Sequence, residues 1–411
     1  MATVYDECAA WLKANWDPET TVAEWWQVLA DSGWAAPTWP EDWHGKGLSR
    51  GETTEVRQAF ADLKVLGPPA GLGMMLAGPT ILTHGNDEQK ARYLRPIVSG
   101  EIAWCQLFSE PGAGSDLASL QCKAVKDGEE WVVNGQKVWT SGGHVAEMGM
   151  LIARTNPDAP KHEGITWFAI EMEQPGLEVV PLREMTGRAL FNEVFLSDAR
   201  VAEDAIIGGL NQGWAVANTT LTNERIGLGG GGGAAGAAAG PKGGALARRA
   251  GDLIRSGGGS GTSQALAGRG FGTLKKLAEE FGKNGEPTIR QDLAQLFTLE
   301  QISRYTQLRA KSAKRPGPEV STGKLQVSRI TRLSRDVGLS ILGPYGTLHG
   351  ESAPHRGMIQ EMALFSPAPS IYGGSDEIQK NIIGERVLGL PKEPSVDKGV
   401  AFKDLKVGTQ R

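Results

Sequence analysis

Only three cysteines, Cys8, Cys105 and Cys122, occur in 411 residues. Their spacing matches no metal-ligand pattern, and a small odd number suits a reducing compartment better than a disulfide framework. Long apolar runs are also missing, since no stretch approaches the roughly 18 residues that a membrane-spanning helix needs. The opening Met1-Ala2-Thr3-Val4-Tyr5-Asp6-Glu7 lacks the basic-then-apolar order of a secretory signal. A basic excess is absent too, and a net charge of −4 argues against a nucleic-acid footprint. The expectation is a cytoplasmic, globular protein with no metal site and no membrane insertion.

The length exceeds that at which a single core stops growing, so two or three domains are expected. From Thr20 to about Gly100 the pattern is helical. Val22, Trp25, Trp26, Val28 and Leu29 fall at helical spacings, as do Phe60, Leu63 and Leu66. Asn86-Asp87-Glu88-Gln89 reads as a capped helix start. After Glu101 the apolar runs become short: Met148 to Ala153, Ile165 to Glu171 and Leu177 to Pro181. Trp131 to Val133 is expected to lead into a hairpin turn at Asn134-Gly135. Such closely spaced strands predict a β-sandwich or barrel. Beyond Gly213 helical spacing returns over Ile289 to Ala310 and Lys324 to Leu342. The expected organisation is α+β: a helical N-terminal domain (1–102), a middle β domain (103–214) and a C-terminal helical bundle (215–411).

A glycine-rich tract, 227–270, interrupts the last of these. Each interior glycine costs a helix about 0.8–1.0 kcal/mol relative to alanine, so the tract reads as a low-complexity, partly mobile interruption between two core helices. It contains G-x-G-x-x-G strings, but no strand precedes them and they match in several registers, which argues against a dinucleotide fingerprint.

Three blocks carry chemistry: Ser109-Glu110-Pro111-Gly112-Ala113-Gly114-Ser115-Asp116, Asn134-Gly135-Gln136-Lys137-Val138-Trp139-Thr140-Ser141, and Tyr372-Gly373-Gly374-Ser375-Asp376-Glu377-Ile378-Gln379. The first can present backbone N–H groups at close range, because glycine removes the Cβ obstruction. Leu117 stands where a Rossmann loop would place its third glycine. In these blocks, their order and their spacing, the chain from about Gly33 to Pro391 resembles the acyl-CoA dehydrogenase family.

The resemblance implies FAD and the oxidation of an acyl-CoA thioester to the 2,3-enoyl-CoA. A base removes the proton beside the carbonyl, and a hydride leaves the adjacent carbon for flavin N5. The family most often places its catalytic glutamate where Gly373 stands, and Gly373 has no side chain. Glu224 matches the helix position that supplies the base in the long-chain and isovaleryl branches. Its competing readings are a plain ion pair with Arg225 on a solvated face, or Glu377 as the base instead. By resemblance, Gln106, Leu107, Phe108 and Ser109 line the isoalloxazine edge, and Gly114 and Ser115 lie near the pyrophosphate or the CoA arm. Trp139 packs on the ring system, although an ordinary core aromatic is the alternative, and Thr140 and Ser141 hydrogen-bond around N5. Thr222, Arg225 and Gly374 border the substrate, with Ser115, and Ser375 and Glu377 lie near the cofactor. Gly343, in Ser340-Ile341-Leu342-Gly343-Pro344-Tyr345-Gly346, touches the flavin of a neighbouring subunit.

One departure stands out. The family's Arg-x-x-Phe-Gly segment reads Ala278-Glu279-Glu280-Phe281-Gly282 here, leaving Arg290 and Gln291 as substitutes for the missing arginine. The implied partners are electron-transfer flavoprotein as acceptor and a homo-oligomer (dimer or tetramer) or a heteromer with a related subunit. Two further readings stay open: a half-site or non-catalytic subunit of a heteromeric dehydrogenase, and an acyl-CoA oxidase-like flavoenzyme.

Overall fold

The computed structural model describes residues 2–229, 239–255, 268–312, 317–395 and 397–406. Its N-terminal part is helical: α1 (Val4–Asn15), α2 (Val22–Asp31), α3 (Glu52–Leu63), α4 (Gly78–His84) and α5 (Asp87–Val98). Capping boxes start three of them, Thr3 with Asp6, Thr21 with Glu24 and Asn86 with Gln89, each satisfying backbone donors that a helix start leaves free. Gln89 also ties α5 to the sheet, donating from Nε2 to the carbonyls of Asp204 and Ile206 at 2.8 and 2.7 Å.

Eight strands follow: β1 (Trp104–Leu107), β2 (Lys123–Asp127), β3 (Glu130–Ser141), β4 (Met148–Arg154), β5 (Ile165–Glu171), β6 (Leu177–Leu182), β7 (Phe191–Ala202) and β8 (Ile206–Ile207). They form one hydrogen-bonded sheet in the order β6-β7-β3-β2-β4-β5-β8, with β1 parallel to β4. Both faces of β4 are buried, which explains its unbroken apolar run.

The hairpin expected at Asn134-Gly135 is not there. β3 runs straight through, and its turn with β2 lies at Gly128-Glu129, with Gly128 at φ +64°. Asp127-Gly128 is itself a hairpin signal. Asn134-Gly135 instead forms a bulge against β7. The Asn134 side chain bonds Asp198 from both ends, donating to its carboxylate at 2.9 Å and accepting its N–H at 3.0 Å. Gly135 is required because a Cβ there would lie 2.8 Å from the Cys122 backbone.

After the sheet come α6 (Gly213–Gly229), α7 (Ala250–Arg255), α8 (Phe271–Glu280), α9 (Pro287–Ser312), α10 (Ser321–Leu342), α11 (Met358–Phe365) and α12 (Asp376–Arg386). The glycine-rich tract needs a correction. Residues 230–238 and 256–267 lie outside the described residues, but 239–255 is an ordered strap on the N-terminal helices. Arg248 O and Leu246 O accept from Val22 N and Ala23 N at 2.8 and 3.0 Å, and Ala245, Ala250 and Leu253 are buried. Small residues let the strap lie close: a Cβ at Gly251 would meet Pro18 at 2.8 Å.

Two apolar cores result. One joins the N-terminal helices, the sheet, α6 and the strap, and the other lies among α8 to α11. Among the described residues no helix is long and apolar enough to cross a membrane.

Candidate active site

Helix α6 brings a carboxylate to the end of β1. Gln106, on β1, donates from Nε2 to Glu224 Oε2 across 3.4 Å. The helix backbone comes close at Gly227, where a Cβ would lie 2.7 Å from Met75 Sδ. The Glu224 side chain keeps a partial opening to its surroundings, yet protein packs densely round the carboxyl. That burial pushes its pKa above the ordinary carboxylate range, outweighing the Gln106 hydrogen bond and the Arg225 charge that act downward. Arg225 follows on the same turn. Burial lowers the pKa of its guanidinium, the charge of Glu224 raises it and that of Arg386 lowers it again. No carboxylate lies within ion-pair distance of Arg225 among the described residues, and its Nε bonds Leu221 O within the helix at 3.0 Å.

Tyr372 lies close enough to Glu224 to feel its charge. Its hydroxyl pKa is raised by burial, lowered by Arg269 and raised by Glu224. The next two residues are left-handed, Gly373 at φ +62° and Gly374 at φ +80°. The turn is held by Gln379, fully buried, whose Nε2 donates to Gly373 O at 2.8 Å. Ser375 caps α12, accepting from Ile378 N at 3.3 Å.

The segment after Gln106 is fixed to β3. Val138 N donates to Ser109 O at 2.9 Å. Lys137, with no exposed surface, donates from Nζ to Phe108 O at 3.0 Å and to Glu110 Oε1 at 2.8 Å. Glu110 also accepts from Gln121 N and Cys122 N at 2.6 and 2.9 Å, so both ions of this buried pair are well partnered. Leu107 and Phe108 turn their side chains into the core.

A second bulge follows on β3, where pairing with β7 slips between Lys137 and Thr140. It puts Trp139 in the left-handed region at φ +61° and leaves its ring 58% exposed, edge-on to Phe191 at 5.7 Å. Trp139 is therefore not a core aromatic. A bulky residue in this sparsely populated region is held there by the surrounding structure. The neighbouring Thr140 is buried, and its Oγ1 finds no protein partner. Its carbonyl accepts from Asn192 Nδ2 at 2.9 Å.

Other expected site residues are exposed or stand at element ends. Gly114, Ser115 and Ser141 are exposed, and a Cβ at Gly114 would meet nothing within 4 Å. Thr222 is exposed and bonds back to Asn218 O at 2.7 Å. Arg290 and Gln291 are exposed on the first turns of α9, and Gly343 closes α10 at φ +55°. Glu377 is solvated on α12, 4.0 Å from Lys380.

Sequence reading gave no role to Lys137 and Glu110, which fix the segment between Gln106 and Trp139. The available signal was a lysine among the buried positions of a strand, with Trp131 and Val133. Asp376 was also passed over. It is buried and accepts from Ser328 Oγ at 2.8 Å, Arg332 at 3.2 Å and Lys324 at 3.3 Å, locking α12 to α10.

Three family models match the chain in order: the acyl-CoA dehydrogenase N-terminal domain over residues 2–101, the middle domain over 105–199 and the C-terminal domain over 260–388. The acyl-CoA dehydrogenase FadE34 of Mycobacterium tuberculosis is 37% identical over 374 residues. The match covers 89% of this chain and 46% of FadE34, so the chain spans about half the length of that relative. The acyl-CoA dehydrogenase IpdE1 of the same organism is 34% identical over 372 residues, which covers 90% of this chain and 88% of IpdE1. Among solved structures, the Tcur3481-Tcur3483 steroid ACAD matches with a TM-score of 0.70 at 26% identity, over 95% of this chain and 97% of that chain.

Proposed function

The chain belongs to the acyl-CoA dehydrogenase family, a family of FAD-dependent flavoproteins, and from that premise we propose that it oxidises an acyl-CoA thioester to the 2,3-enoyl-CoA with Glu224 as the base. The observation that carries this reading is the Glu224 carboxylate at the end of β1, which accepts from Gln106 Nε2 at 3.4 Å and whose pKa burial raises, in a chain where Gly373 offers no side chain. A base is most effective with a pKa near the working pH, which is what desolvation moves a carboxyl towards.

The residues present fit FAD. Trp139 offers a flat exposed apolar face, Thr140 Oγ1 a hydrogen-bonding group without a partner among the described residues, and the 109–116 loop open space at Gly114. When bound, FAD supplies the acceptor for the hydride. The chain's own part is alignment and proton removal. Glu224 takes the proton beside the carbonyl, and Gln106 orients its carboxylate. Arg225, which has no carboxylate within ion-pair distance among the described residues, stabilises negative charge that develops on the thioester side. Thr222, Ser115 and Gly374 border the CoA and acyl groups, and Gln106 to Ser109, Trp139, Thr140, Ser141, Ser375 and Glu377 surround the cofactor.

A second reading, a subunit that shares its flavin site with an unlike chain, is favoured by one observation. Where the family's pyrophosphate-bracing arginine is expected, Ala278 stands instead, with no exposed surface. Arg290, Gln291 and Gly343 are exposed or terminal, positions suited to a neighbouring subunit's flavin. Electron-transfer flavoprotein is the proposed acceptor, and ring-bearing acyl-CoA thioesters are the first substrates to test, because a similar structure is a steroid enzyme.

The test is expression of this chain alone, followed by a flavin absorbance scan and bleaching with a panel of acyl-CoAs. A yellow oligomer bleached by one of them is the expected result. A colourless protein that binds FAD only with a second, related chain would establish the shared-site reading.

A further inference from the structure

A π turn, Gly73–Ala77, precedes α4 and packs against both α6 and β1. Gly78 N donates back to Gly73 O, the wide bond of a π turn, a feature found frequently at functional sites. A Cβ at Gly73 would meet Trp104 Cδ1 of β1 at 3.3 Å. One at Gly227 of α6 would meet Met75 Sδ at 2.7 Å and Cγ at 3.2 Å. A single turn of chain thus touches the strand that carries Gln106 and the helix that carries Glu224.

The π turn decides which side chain reaches α6. Thr80 Oγ1 and Thr220 Oγ1, both buried, lie 3.0 Å apart, and His84 Nε2 lies 2.8 Å from Thr219 Oγ1, so α4 and α6 are pinned together. Met75 and Thr80 both meet α6 although five residues apart, a spacing that an unbroken α-helix would set about 140° round its axis. The extra residue of the π turn brings Met75 back onto the face that α6 covers. On α6 the contacts at Thr220 and Gly227 flank Glu224 at helical spacing, which is one face of the helix.

Helical side chains lean towards the N-terminus, so a side chain at position 227 would cover the turn of Glu224. Glycine supplies none, and the Met75 thioether takes that place. Met75 is partly exposed, as are Glu224 and Gly227, whereas Leu76 and Ala77 beside it have no exposed surface. The thioether is therefore not core filling, and it lies on the same side of α6 as the carboxylate. Methionine is unbranched and adapts to irregular shapes, and Gly227 leaves it room to fold back.

Resting on the dehydrogenase reading, we propose that Met75 sets the acyl bulk admitted beside Glu224. Its thioether forms the wall met by the carbons next to the thioester carbonyl, and Gly227 is the recess into which it folds. The pair discriminates thioesters that are branched or ring-bearing at those carbons from straight-chain ones.

The test is isothermal titration of the flavin-loaded protein with butanoyl-CoA, cyclohexanecarbonyl-CoA and CoA, in the Glu224→Gln background so that no turnover intervenes. Gly227→Ala, whose methyl displaces the thioether, should weaken cyclohexanecarbonyl-CoA about tenfold relative to butanoyl-CoA, the discrimination that one methylene produces in an apolar pocket. Met75→Ala should shift the same ratio the other way, and CoA should bind equally to all variants. Added to Met75→Ala, Gly227→Ala should lose its effect, because no thioether is left to displace. A merely structural role would move the melting temperature without this pattern in the ratio. An unchanged ratio in both single variants would overturn the proposal, as would acyl-CoAs that bind no more tightly than CoA. Shifted ratios without flavin bleaching in the protein that retains Glu224 would support the acyl wall and remove the dehydrogenase reading instead.

Discussion

The amide of Gln106 and the carboxylate of Glu224 meet across 3.4 Å, from residues 118 apart in sequence. The contact is long for a charge-assisted hydrogen bond, so it orients the carboxylate more than it stabilises the charge. Desolvation therefore dominates, and the proton affinity of Glu224 stays raised.

Gln106→Leu removes one of the two influences that lower the Glu224 pKa, leaving only the charge of Arg225. The rate of flavin reduction, which needs the ionised base, should rise with pH along a limb displaced to higher pH than in the unmodified protein. The same shift has a stability consequence. Between the ordinary carboxyl value and the raised one, the folded chain holds a proton that the unfolded chain has lost. The contribution is present below the unfolded value and is lost as pH rises through the folded one. Glu224→Gln should flatten that part of the stability profile, and melting curves across pH check it.

Lys137→Met should leave Glu110 as an unpaired buried carboxylate, still bonded to two backbone N–H groups. Breaking a buried pair from one side costs about 3–5 kcal/mol. The expected result is a large fall in melting temperature together with weaker FAD binding, since Phe108 and Glu110 lose their clasp and only the Val138 N to Ser109 O bond still ties the segment to β3. The double variant Lys137→Met/Glu110→Gln should recover part of the stability. Equal melting temperatures for the single variant and the parent would show that the pair contributes little.

Gly373 cannot simply be given back a carboxylate. At φ +62° a side chain costs about 1–2 kcal/mol, and the turn is clasped by Gln379. Gly373→Glu in the Glu224→Gln background should restore only a small part of the lost activity and should lower stability. A misplacement of about 1 Å alone can cost roughly 10²-fold. Recovery to the parent rate, measured with the same substrate, would show that the turn relaxes freely.

The helices were legible because their signals are local: Asn86 with Gln89, and the spacing that places α9 and α10. Closely spaced strands were legible as well, but not their pairing. Asn134-Gly135 looks like a hairpin because its propensity does, whereas its use is set by Asp198 and Cys122, which only the fold brings near. The strap at 239–255 was hidden for the opposite reason. Glycine-rich composition signals low helix propensity, but it also permits close backbone packing. Within the candidate site, Glu224 and Trp139 could be singled out through the family resemblance. The Gln106 to Glu224 contact and the Lys137 to Glu110 clasp could not, since both depend on tertiary packing.

The central claim is that Glu224 takes the proton, and anaerobic stopped-flow reduction of Glu224→Gln tests it most directly, using an acyl-CoA that bleaches the unmodified protein. General-base contributions are typically about 10²–10⁴-fold. The account predicts a loss of that size in the reduction rate, with FAD still bound. Reduction at the unmodified rate would contradict it and transfer the role to another group, with Glu377 the first to examine.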